Sequence, residues 1–459
     1  MKIFLLLFLS IAFTEGRRSS PPLFIHPTET QDLNCASFMQ QTVLNKEGTN
    51  RNEDMAEYRQ TRVTYPDTED WNSFKMDCES IFTRTYYQLD EIYPEEKEFP
   101  LAFSRIVYKD YRMVEMELAS TYAPQNHYCY ALDANSSPMF HARMKSLVNC
   151  FPNVYLASTE FIMDAAGHNI SQSEFECLKL LANPSYKWNY VISMQNHDVA
   201  LKTNQELIQV FQWLNGTNDL DMMIVPEERV NKNADWSFDA LKLFKNETKN
   251  HIGAYNLEPK MTIAKSFSTA SLSRAAVDFF VNELELEPFM KSLEWREFGT
   301  NELFLGSLNT ADALALPGGF TVRCLEEKLP DYFVSRFTIW KDQDTCATEI
   351  WRNDMCVFGM EHLSEFIYSR YLFANKFQPD KDFGAVACWH EYMFNRTHLE
   401  RGTMRLDPTH YTSPPHVRFN RERNQKGSEF NPRYFDCNSA SKKNIIFSIF
   451  IVFFAFRGF

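Results

Sequence analysis

Glycine is scarce in this chain, with 14 residues in 459, and the glycine-rich motifs of several enzyme classes are missing. Neither G-x-G-x-x-G nor the phosphate-loop pattern occurs, which argues against standard dinucleotide-binding and P-loop proteins. There is no G-x-S-x-G, and His390-Glu391 lacks the second histidine of H-E-x-x-H. No C-x-x-C pair occurs either, so a cysteine zinc site is a poor interpretation.

An excess of basic residues is missing too. Asp and Glu total 60 against 47 Lys and Arg, which gives a formal net charge of −13. This balance argues against a nucleic-acid partner, because phosphates require a basic surface. The hydrophobic content of 44%, with 40 Phe and 20 Tyr, is sufficient for a sizeable core.

Between Phe99 and Leu214, apolar runs typical of buried strands alternate with segments of helical period. The predicted strands are Leu101–Tyr108, Tyr128–Leu132, Val154–Ser158 and Trp188–Met194, and the predicted helices are Tyr111–Tyr122, Pro138–Asn149, Ser171–Leu181 and Asn204–Leu214. This order favours an α/β fold with a parallel sheet. Such sheets bind ligands at the carboxyl ends of their strands.

Both ends of the chain carry apolar runs. Ile3–Phe13 fits the core of a signal peptide, with a short signal anchor as the alternative. Ile445–Phe456 follows Lys442 and Lys443; it partly resembles a lipid-anchor signal, the alternative being a disordered or weakly membrane-associated tail. We therefore divide the chain into a targeting segment (1–16), a polar stem (17–70), a catalytic unit (71–400), an irregular extension (401–444) and an apolar tail (445–459).

Sequons and cysteines indicate the secretory pathway. Five N-glycosylation sequons have their acceptors at Asn135, Asn169, Asn215, Asn246 and Asn395. Ten cysteines in an oxidising compartment predict a disulfide framework.

Acidic D-x-D pairs occur, notably Asp219-Leu-Asp221 and Asp342-Gln-Asp344. Such a pair can hold Mg²⁺ or Mn²⁺ against a nucleotide diphosphate. Chance D-x-D triplets are common in an acidic chain, however, and we interpret both pairs as solvated surface.

Seven short segments, in this order, carry a family resemblance. They are Phe99–Ser104 (FPLAFS), Thr121–Cys129 (TYAPQNHYC), Cys150–Ser158 (CFPNVYLAS), Trp188–Asn204 (WNYVISMQNHDVALKTN), Asn301–Phe304 (NELF), Cys356–Met360 (CVFGM) and Leu372–Phe377 (LFANKF). Together with the cysteine pattern they resemble the core-2/I-branching β-1,6-N-acetylglucosaminyltransferase family, from about Cys35 to Arg396.

This resemblance implies a GT-A-type fold, in which a Rossmann-like nucleotide-binding half merges with an acceptor-binding half. It implies inverting transfer of N-acetylglucosamine from UDP to a glycan hydroxyl, with β-1,6 branching of O-glycans in the Golgi lumen, and neither a cofactor nor a divalent metal. It also implies the disulfides Cys35–Cys388, Cys78–Cys150, Cys129–Cys177 and Cys346–Cys356. Cys324 and Cys437 have no family partner, so they pair with each other or stay free.

Three residues correspond to the family's reacting machinery. Glu302 matches the general base that deprotonates the acceptor hydroxyl; the alternative is a surface glutamate capping a helix near Asn301. Arg352 and Lys376 match the side-chain cations that stabilise the leaving diphosphate, and the alternative for both is an ordinary surface cation.

Four further residues match binding positions of the family. Asp133 corresponds to a uridine contact, with a turn-forming aspartate as the alternative, and Asp198 corresponds to a residue that shapes the donor site. Trp340 corresponds to an acceptor platform, with a core tryptophan as the alternative, and Asp221 weakly matches an acceptor contact.

The sequence departs from the family pattern on the acceptor and sugar-recognition side, at 164–168, 196–201, 229–239 and 266–269. The donor class is therefore better supported than the acceptor. Two alternatives stay open: a related transferase with another donor such as UDP-xylose, and a non-catalytic glycan-binding protein on the same fold.

Overall fold

The computed structural model describes residues 22–39, 51–68, 70, 74–89, 93–295, 298–327 and 332–438. The predicted targeting segment and the apolar C-terminal tail lie outside the described residues. Within the ranges given, no helix is both long enough and apolar enough to cross a membrane.

A six-stranded mixed sheet forms the centre of an α/β fold, in the strand order β3-β2-β1-β4-β7-β6. The strands of the chain are β1 (Leu101–Val107), β2 (His127–Leu132), β3 (Val154–Leu156), β4 (Tyr190–Met194), β5 (Val199–Ala200), β6 (Asp219–Ile224), β7 (Ala264–Ser273), β8 (Arg336–Phe337), β9 (Trp351–Arg352), β10 (Met355–Cys356) and β11 (Phe373–Ala374). Strands β1 to β4 pair in parallel, which confirms the predicted parallel sheet. Strand β7 is antiparallel to both β4 and β6.

Helices connect the parallel strands. The helices are α1 (Cys35–Met39), α2 (Arg51–Gln60), α3 (Cys78–Arg84), α4 (Pro94–Lys97), α5 (Tyr111–Thr121), α6 (Pro138–Asn149), α7 (Ile170–Leu181), α8 (Asn204–Leu214), α9 (Phe238–Leu241), α10 (Arg274–Glu283), α11 (Glu287–Leu293), α12 (Phe304–Thr310), α13 (Val322–Glu326), α14 (Leu363–Phe366), α15 (Pro379–Phe394), α16 (Thr409–Thr412) and α17 (Pro415–Lys426). The four predicted helices correspond to α5–α8. Helix α8 begins with a capping box, in which Thr203 and Glu206 satisfy each other's backbone N–H groups.

The sheet is buried on both faces. Alternate residues of each strand point to opposite sides, and helices pack against each side. On one face, Ala102 and Val191 belong to the same apolar cluster as Leu178 of α7. On the other face, Phe103 belongs to a second cluster with Phe211 of α8. This two-sided burial explains why the strands read as continuous apolar runs.

All ten cysteines form disulfides. The pairs implied by the resemblance are present: Cys35–Cys388, Cys78–Cys150, Cys129–Cys177 and Cys346–Cys356. Cys324 and Cys437, whose state the sequence left open, form the fifth bridge.

The C-terminal extension, expected to be irregular, contains the 12-residue helix α17. Phe419 of this helix packs edge-on against Phe430 and Phe435, with ring centroids 5.0 and 5.1 Å apart. The numerous Arg and Asn residues of the segment obscured these apolar positions in the sequence. The Cys324–Cys437 bridge then fastens the extension to α13.

Removal of this fifth bridge is expected to destabilise the protein without abolishing the fold. In the double variant Cys324→Ser/Cys437→Ser, the free energy of unfolding should fall by about 2–5 kcal/mol, because the bridge closes a long loop of the unfolded chain. Urea denaturation under non-reducing conditions measures the change. An unfolding midpoint equal to that of the unmodified protein would contradict the expectation.

Candidate active site

A cleft of about 1020 Å³ opens where β1, β2 and β4 end. The residues that follow these strands, including Tyr108 and Asn196, form part of its wall. Five of the predicted site residues line this one cleft: Asp133, Glu302, Trp340, Arg352 and Lys376. The site thus lies at the carboxyl edge of the parallel strands, as the sequence predicts.

Glu302 sits in a short 3₁₀ turn, Asn301–Leu303, immediately before α12. Its carboxylate does not cap a helix; Oε2 accepts a hydrogen bond from Arg229 Nη1 at 2.7 Å and lies 3.4 Å from Lys265 Nζ. Arg229 also donates to the carbonyl oxygen of Gly299 at 2.5 Å. The second carboxylate oxygen, Oε1, has no hydrogen-bond or ion-pair partner among the residues that the structure describes.

A glycine at position 299 makes the approach of Arg229 possible. Gly299 has φ +73°, a left-handed conformation that favours glycine. A Cβ atom at this position would lie 2.4 Å from Arg229 Nη2. The backbone, Arg229 and Glu302 therefore form one fitted unit at the edge of the cleft.

Arg352 and Lys376 are cations of the cleft without an acidic partner. In the described part of the chain, no carboxylate oxygen lies within 4.0 Å of either charged group, and Arg352 Nη2 makes a 3.4 Å contact with Tyr108 Oη. Arg352 is on β9 of a hairpin that the Cys346–Cys356 bridge closes. Two cations that face a cleft without a counter-charge provide a site for an anion.

Burial, together with the neighbouring charges of Arg352 and Arg336, lowers the pKa of Lys376 to about 8. Only 8% of Lys376 is exposed. Above this pH the amine loses its charge, so the affinity of the cleft for a diphosphate should fall by about tenfold for each further pH unit.

The Kd of UDP, measured by calorimetry between pH 7 and pH 9.5, tests this expectation. A Lys376→Arg variant is the matched control, since a guanidinium stays protonated throughout that range. Equal pH dependence of the variant and the unmodified protein would contradict the assignment.

Asp133 follows β2 and forms an isolated bridge with Phe161. Its Oδ1 accepts hydrogen bonds from the backbone N–H groups of Asn135 at 3.0 Å and Met163 at 3.1 Å. The side chain thus organises a turn and also lines the cleft. The sequence offered two alternatives for Asp133, a ligand contact or a turn-forming residue. In the structure the two roles are compatible.

Asp198 does not line the cleft, since it is fully buried behind it. Its Oδ2 accepts a hydrogen bond from Gln195 N at 2.5 Å, and its Oδ1 lies 3.9 Å from Arg336 Nη1. Arg336 and Gln195 do line the cleft. Asp198 can therefore shape the site by orienting these neighbours, and a direct ligand contact is not part of the geometry.

Trp340 stacks on Phe267, with ring centroids 5.4 Å apart and an interplanar angle of 17°. The guanidinium of Arg336 lies 5.1 Å from the centre of the Phe267 ring. This aromatic wall separates the cleft from a second cavity that Asp221 lines. Trp340 is partly exposed and belongs to the wall rather than to the core.

The surface interpretation of Asp219 was wrong. Asp219 is fully buried, and its carboxylate accepts hydrogen bonds from Val334 N, Ser335 Oγ and His416 Nε2 at 3.0, 2.7 and 3.0 Å. Its partners lie more than a hundred residues away along the chain, so the local sequence carried no sign of burial. Asp342, by contrast, is exposed at the rim of the cleft.

One cysteine–histidine group in the described ranges is compact enough to hold a metal: Cys346, Cys356 and His362. Its two cysteines form a disulfide, so they offer no thiolate ligands. Metal chemistry at this group does not fit the residues present.

Sequence reasoning missed the buried pair of Asp110 and His197. His197 Nε2 donates to Asp110 Oδ2 at 2.6 Å, and His197 lines the cleft beside Tyr108. Burial lowers the pKa of His197. Although burial alone would raise it, the hydrogen bond from His197 and the charge of Lys109 hold the pKa of Asp110 below its usual value.

Sequence reasoning also missed Arg229, Lys265 and Arg336. Arg336 was the most detectable of the three, because it interrupts the apolar run that ends at Trp340. Arg229 ends the 3₁₀ turn Glu227–Arg229 directly after two glutamates, and nothing local marks it.

Comparison with known proteins identifies the family of this chain. The family model described as "Branch: Core-2/I-Branching enzyme" matches residues 101–367. A β-1,3-galactosyl-O-glycosyl-glycoprotein β-1,6-N-acetylglucosaminyltransferase 4 from Danio rerio is 30% identical over 352 residues, covering 73% of this chain and 79% of that protein. The Homo sapiens β-1,3-galactosyl-O-glycosyl-glycoprotein β-1,6-N-acetylglucosaminyltransferase 3 is 27% identical over 354 residues, covering 73% and 77%.

A solved structure of the mannosyltransferase Ktr4p from S. cerevisiae, in complex with GDP, is similar at 15% identity and a TM-score of 0.23, covering 64% of this chain and 82% of that one. That likeness is too weak to support an argument. The sequence matches, however, make this protein a glycosyltransferase. It belongs to the core-2/I-branching enzyme family.

Proposed function

We propose that this protein is an inverting, metal-independent glycosyltransferase with a GT-A-type fold, which transfers N-acetylglucosamine from UDP-N-acetylglucosamine to a glycan hydroxyl with β-1,6 branching of O-glycans. The observation that carries the proposal is one cleft in which a carboxylate, Glu302, and two cations without acidic partners, Arg352 and Lys376, come together. The names of the relatives support the donor and the linkage.

Glu302 acts as the general base. The acceptor hydroxyl gives its proton to the carboxylate as its oxygen attacks the anomeric carbon, and the bond from that carbon to the diphosphate breaks on the opposite side. Arg229 and Lys265 hold Oε2, which leaves Oε1 to take the proton. A fixed carboxylate costs little reorganisation during the reaction.

Arg352 and Lys376 stabilise the leaving group. The electron pair of the breaking bond passes to the diphosphate oxygen, and negative charge develops on UDP. A guanidinium can bind two phosphate oxygens at once, and a lysine supplies a compact positive charge. These cations act where other transferases use a divalent ion, and no metal or cofactor is needed for the step.

Three of the remaining predicted residues bind the two substrates, and the fourth, Asp198, acts through its neighbours. Asp133 contacts uridine at the end of β2, and Asp198 supports the donor side through Arg336 and Gln195. Trp340 provides a ring face for an acceptor sugar, and Asp221 accepts hydrogen bonds from acceptor hydroxyls in the adjoining cavity.

We place the enzyme in the Golgi lumen, associated with the membrane through a terminal segment. Five disulfides indicate an oxidising compartment. Asn135, Asn215 and Asn246 are exposed, whereas Asn169 and Asn395 are half-buried, so the first three are the better glycan acceptors.

A panel of UDP-sugars tests the function. The purified lumenal protein is expected to transfer N-acetylglucosamine to a Gal-β1,3-GalNAc glycoside, and methylation analysis of the product should show a 6-linked branch point. Faster turnover of UDP-xylose would instead indicate the related transferase. No measurable affinity for UDP, with the fold intact, would favour a non-catalytic glycan-binding protein.

A further inference from the structure

A buried histidine–aspartate pair lies beside the two cations of the cleft, and the proposed transfer step does not use it. His197 lines the cleft, and its Nε2 donates a hydrogen bond to Asp110 Oδ2 at 2.6 Å. Only 4% of the His197 side chain and 2% of the Asp110 side chain are exposed. A carboxylate that accepts from one ring nitrogen fixes the tautomer of an imidazole, which leaves the other nitrogen to meet a ligand.

Nδ1 is the nitrogen of His197 that a ligand can reach. Among the residues that the structure describes it has no hydrogen-bond partner, and it is not sealed from solvent. In the neutral ring the proton is on Nε2, so Nδ1 carries a lone pair. This lone pair repels an anionic oxygen, whereas a protonated Nδ1 donates a charge-assisted hydrogen bond to it.

Contacts with two other segments place His197 next to the cations of the cleft. The ring of Tyr108 meets the imidazole edge-on, with centroids 5.8 Å apart, and Tyr108 Oη lies 3.4 Å from Arg352 Nη2. The carbonyl oxygen of His197 accepts a hydrogen bond at 3.2 Å from the N–H of Phe377, the residue after Lys376. An anion held by Arg352 and Lys376 therefore lies near the imidazole.

The loop that carries His197 is fixed by two buried side chains. Arg105 of β1 donates to the carbonyl oxygens of Asn196 at 3.1 Å and Asp198 at 2.6 Å, one on each side of His197. Asn196 Oδ1 accepts from Tyr108 N at 2.7 Å, which ties the loop to the turn after β1. A group fixed in this way needs little reorganisation to act on bound charge.

Asp110 is held in place through its own backbone. It has φ 56°, a left-handed conformation, just before α5, and its N–H donates to Asp67 Oδ2 at 2.7 Å. Asp67 belongs to the segment that the sequence predicts to be a polar stem. This segment therefore contributes to the support of the cleft.

The charges around His197 keep the imidazole largely neutral while the cleft is empty. Burial lowers the pKa of His197, the carboxylate of Asp110 opposes this effect, and the positive charges of Lys109 and Arg352 add to it. In the described part of the chain, Asp110 supplies the one carboxylate within 4.0 Å of the ring. The other carboxylates that line the cleft are those of Asp133, Asp164, Glu302, Asp342 and Asp354. A bound diphosphate adds negative charge beside the ring, and this favours the protonated form.

We propose that His197 is a third cation of the diphosphate site, which forms only when the site is occupied: the imidazole takes up a proton, and Nδ1–H donates to a diphosphate oxygen. Asp110 is its positioning residue. The inference rests on the proposed transferase function and adds a residue to the leaving-group side. The proton comes from solvent as the diphosphate enters and returns to solvent when UDP leaves, so it breaks and forms no bond of the sugar.

Proton uptake on UDP binding tests this proposal. Calorimetry at pH 6.5, in buffers of different ionisation enthalpy, gives the number of protons taken up per UDP bound. The unmodified protein should take up about half a proton or more beyond the uptake of His197→Gln. Lys376, with a pKa of about 8, is already charged at this pH, and the titration of the UDP phosphate cancels in the comparison.

Activity and two further variants complete the test. In His197→Gln, kcat/KM at pH 6.5 should fall by about 10- to 100-fold, as expected for a lost hydrogen bond to a charged group. The glutamine amide can still donate to Asp110, so the thermal unfolding midpoint should change little. Asp110→Asn keeps an acceptor but removes the charge, and it should lower the proton uptake. His410→Gln is the matched control, because His410 is half-exposed beside Asp407 in the C-terminal extension; it should keep the full uptake and activity.

The outcomes separate this inference from the proposed function. Equal proton uptake in the unmodified protein and His197→Gln, both binding UDP, would overturn the role of His197 while the transferase proposal stands. Unchanged uptake in Asp110→Asn would overturn the positioning role of Asp110. Uptake that depends on His197, in a protein that turns over no UDP-sugar, would support the site although the transferase proposal had failed. A folded protein that binds neither UDP nor inorganic pyrophosphate would overturn both.

Discussion

Replacing Glu302 with glutamine is expected to lower kcat by about 10²–10⁴-fold, the usual contribution of a general base. The amide keeps the shape of the carboxylate, and its oxygen can still accept the hydrogen bond from Arg229. It cannot take a proton from the acceptor hydroxyl. The affinity for UDP should therefore stay close to that of the unmodified enzyme, and the loss should fall on kcat.

The measurement is transfer of radiolabelled sugar, with UDP affinity determined separately by calorimetry. Glu227→Gln is the matched control, because Glu227 is exposed nearby and pairs with Lys232 on the surface. This control should retain full activity. Glu302→Gln with unchanged turnover would remove Glu302 from the mechanism.

Replacing Lys376 with methionine is expected to raise the Kd of UDP by about 10- to 100-fold, since a hydrogen bond to a charged group is worth roughly 1.5–3 kcal/mol. Methionine fits the buried stem of the lysine. Because the pKa of Lys376 is lowered to about 8, the amine is charged in the folded protein below this pH, and burial of that charge costs stability there. The variant should consequently be at least as stable as the unmodified protein at neutral pH, although it binds UDP less well.

This combination of lost affinity and retained stability distinguishes a functional cation from a structural one. Lys381→Met is the control, because Lys381 is half-exposed and pairs with Asp380. Calorimetric titration with UDP and thermal unfolding give the two readouts. A Lys376→Met protein that binds UDP normally would contradict the assignment of the diphosphate site.

The sequence was sufficient for the parallel half of the sheet and its helices, because the signals of these elements are local. The helices Pro138–Asn149 and Asn204–Leu214 have the predicted bounds, since each begins at a clear capping residue, Ser137 or Thr203. The positions of β1, β2 and β4 followed from apolar runs that are buried on both faces. Asp133 directly follows β2, so the apolar run of that strand also predicted its place at the cleft.

The environment of Glu302 could not be predicted, because its partners arrive from distant parts of the chain. Arg229 is 73 residues away in sequence, and its approach depends on a left-handed Gly299. The burial of Asp219 depends in the same way on Ser335 and His416. Long-range ion pairs leave no periodic trace in a sequence.

The most direct test of the account is transfer from UDP-N-acetylglucosamine in the presence of EDTA, run in parallel for the unmodified protein and Glu302→Gln. We expect transfer by the unmodified protein to survive chelation and to be nearly lost in the variant, because side-chain cations and one carboxylate carry the reaction. Transfer that stops with EDTA and returns with Mn²⁺, or that persists in Glu302→Gln, would contradict the proposed mechanism.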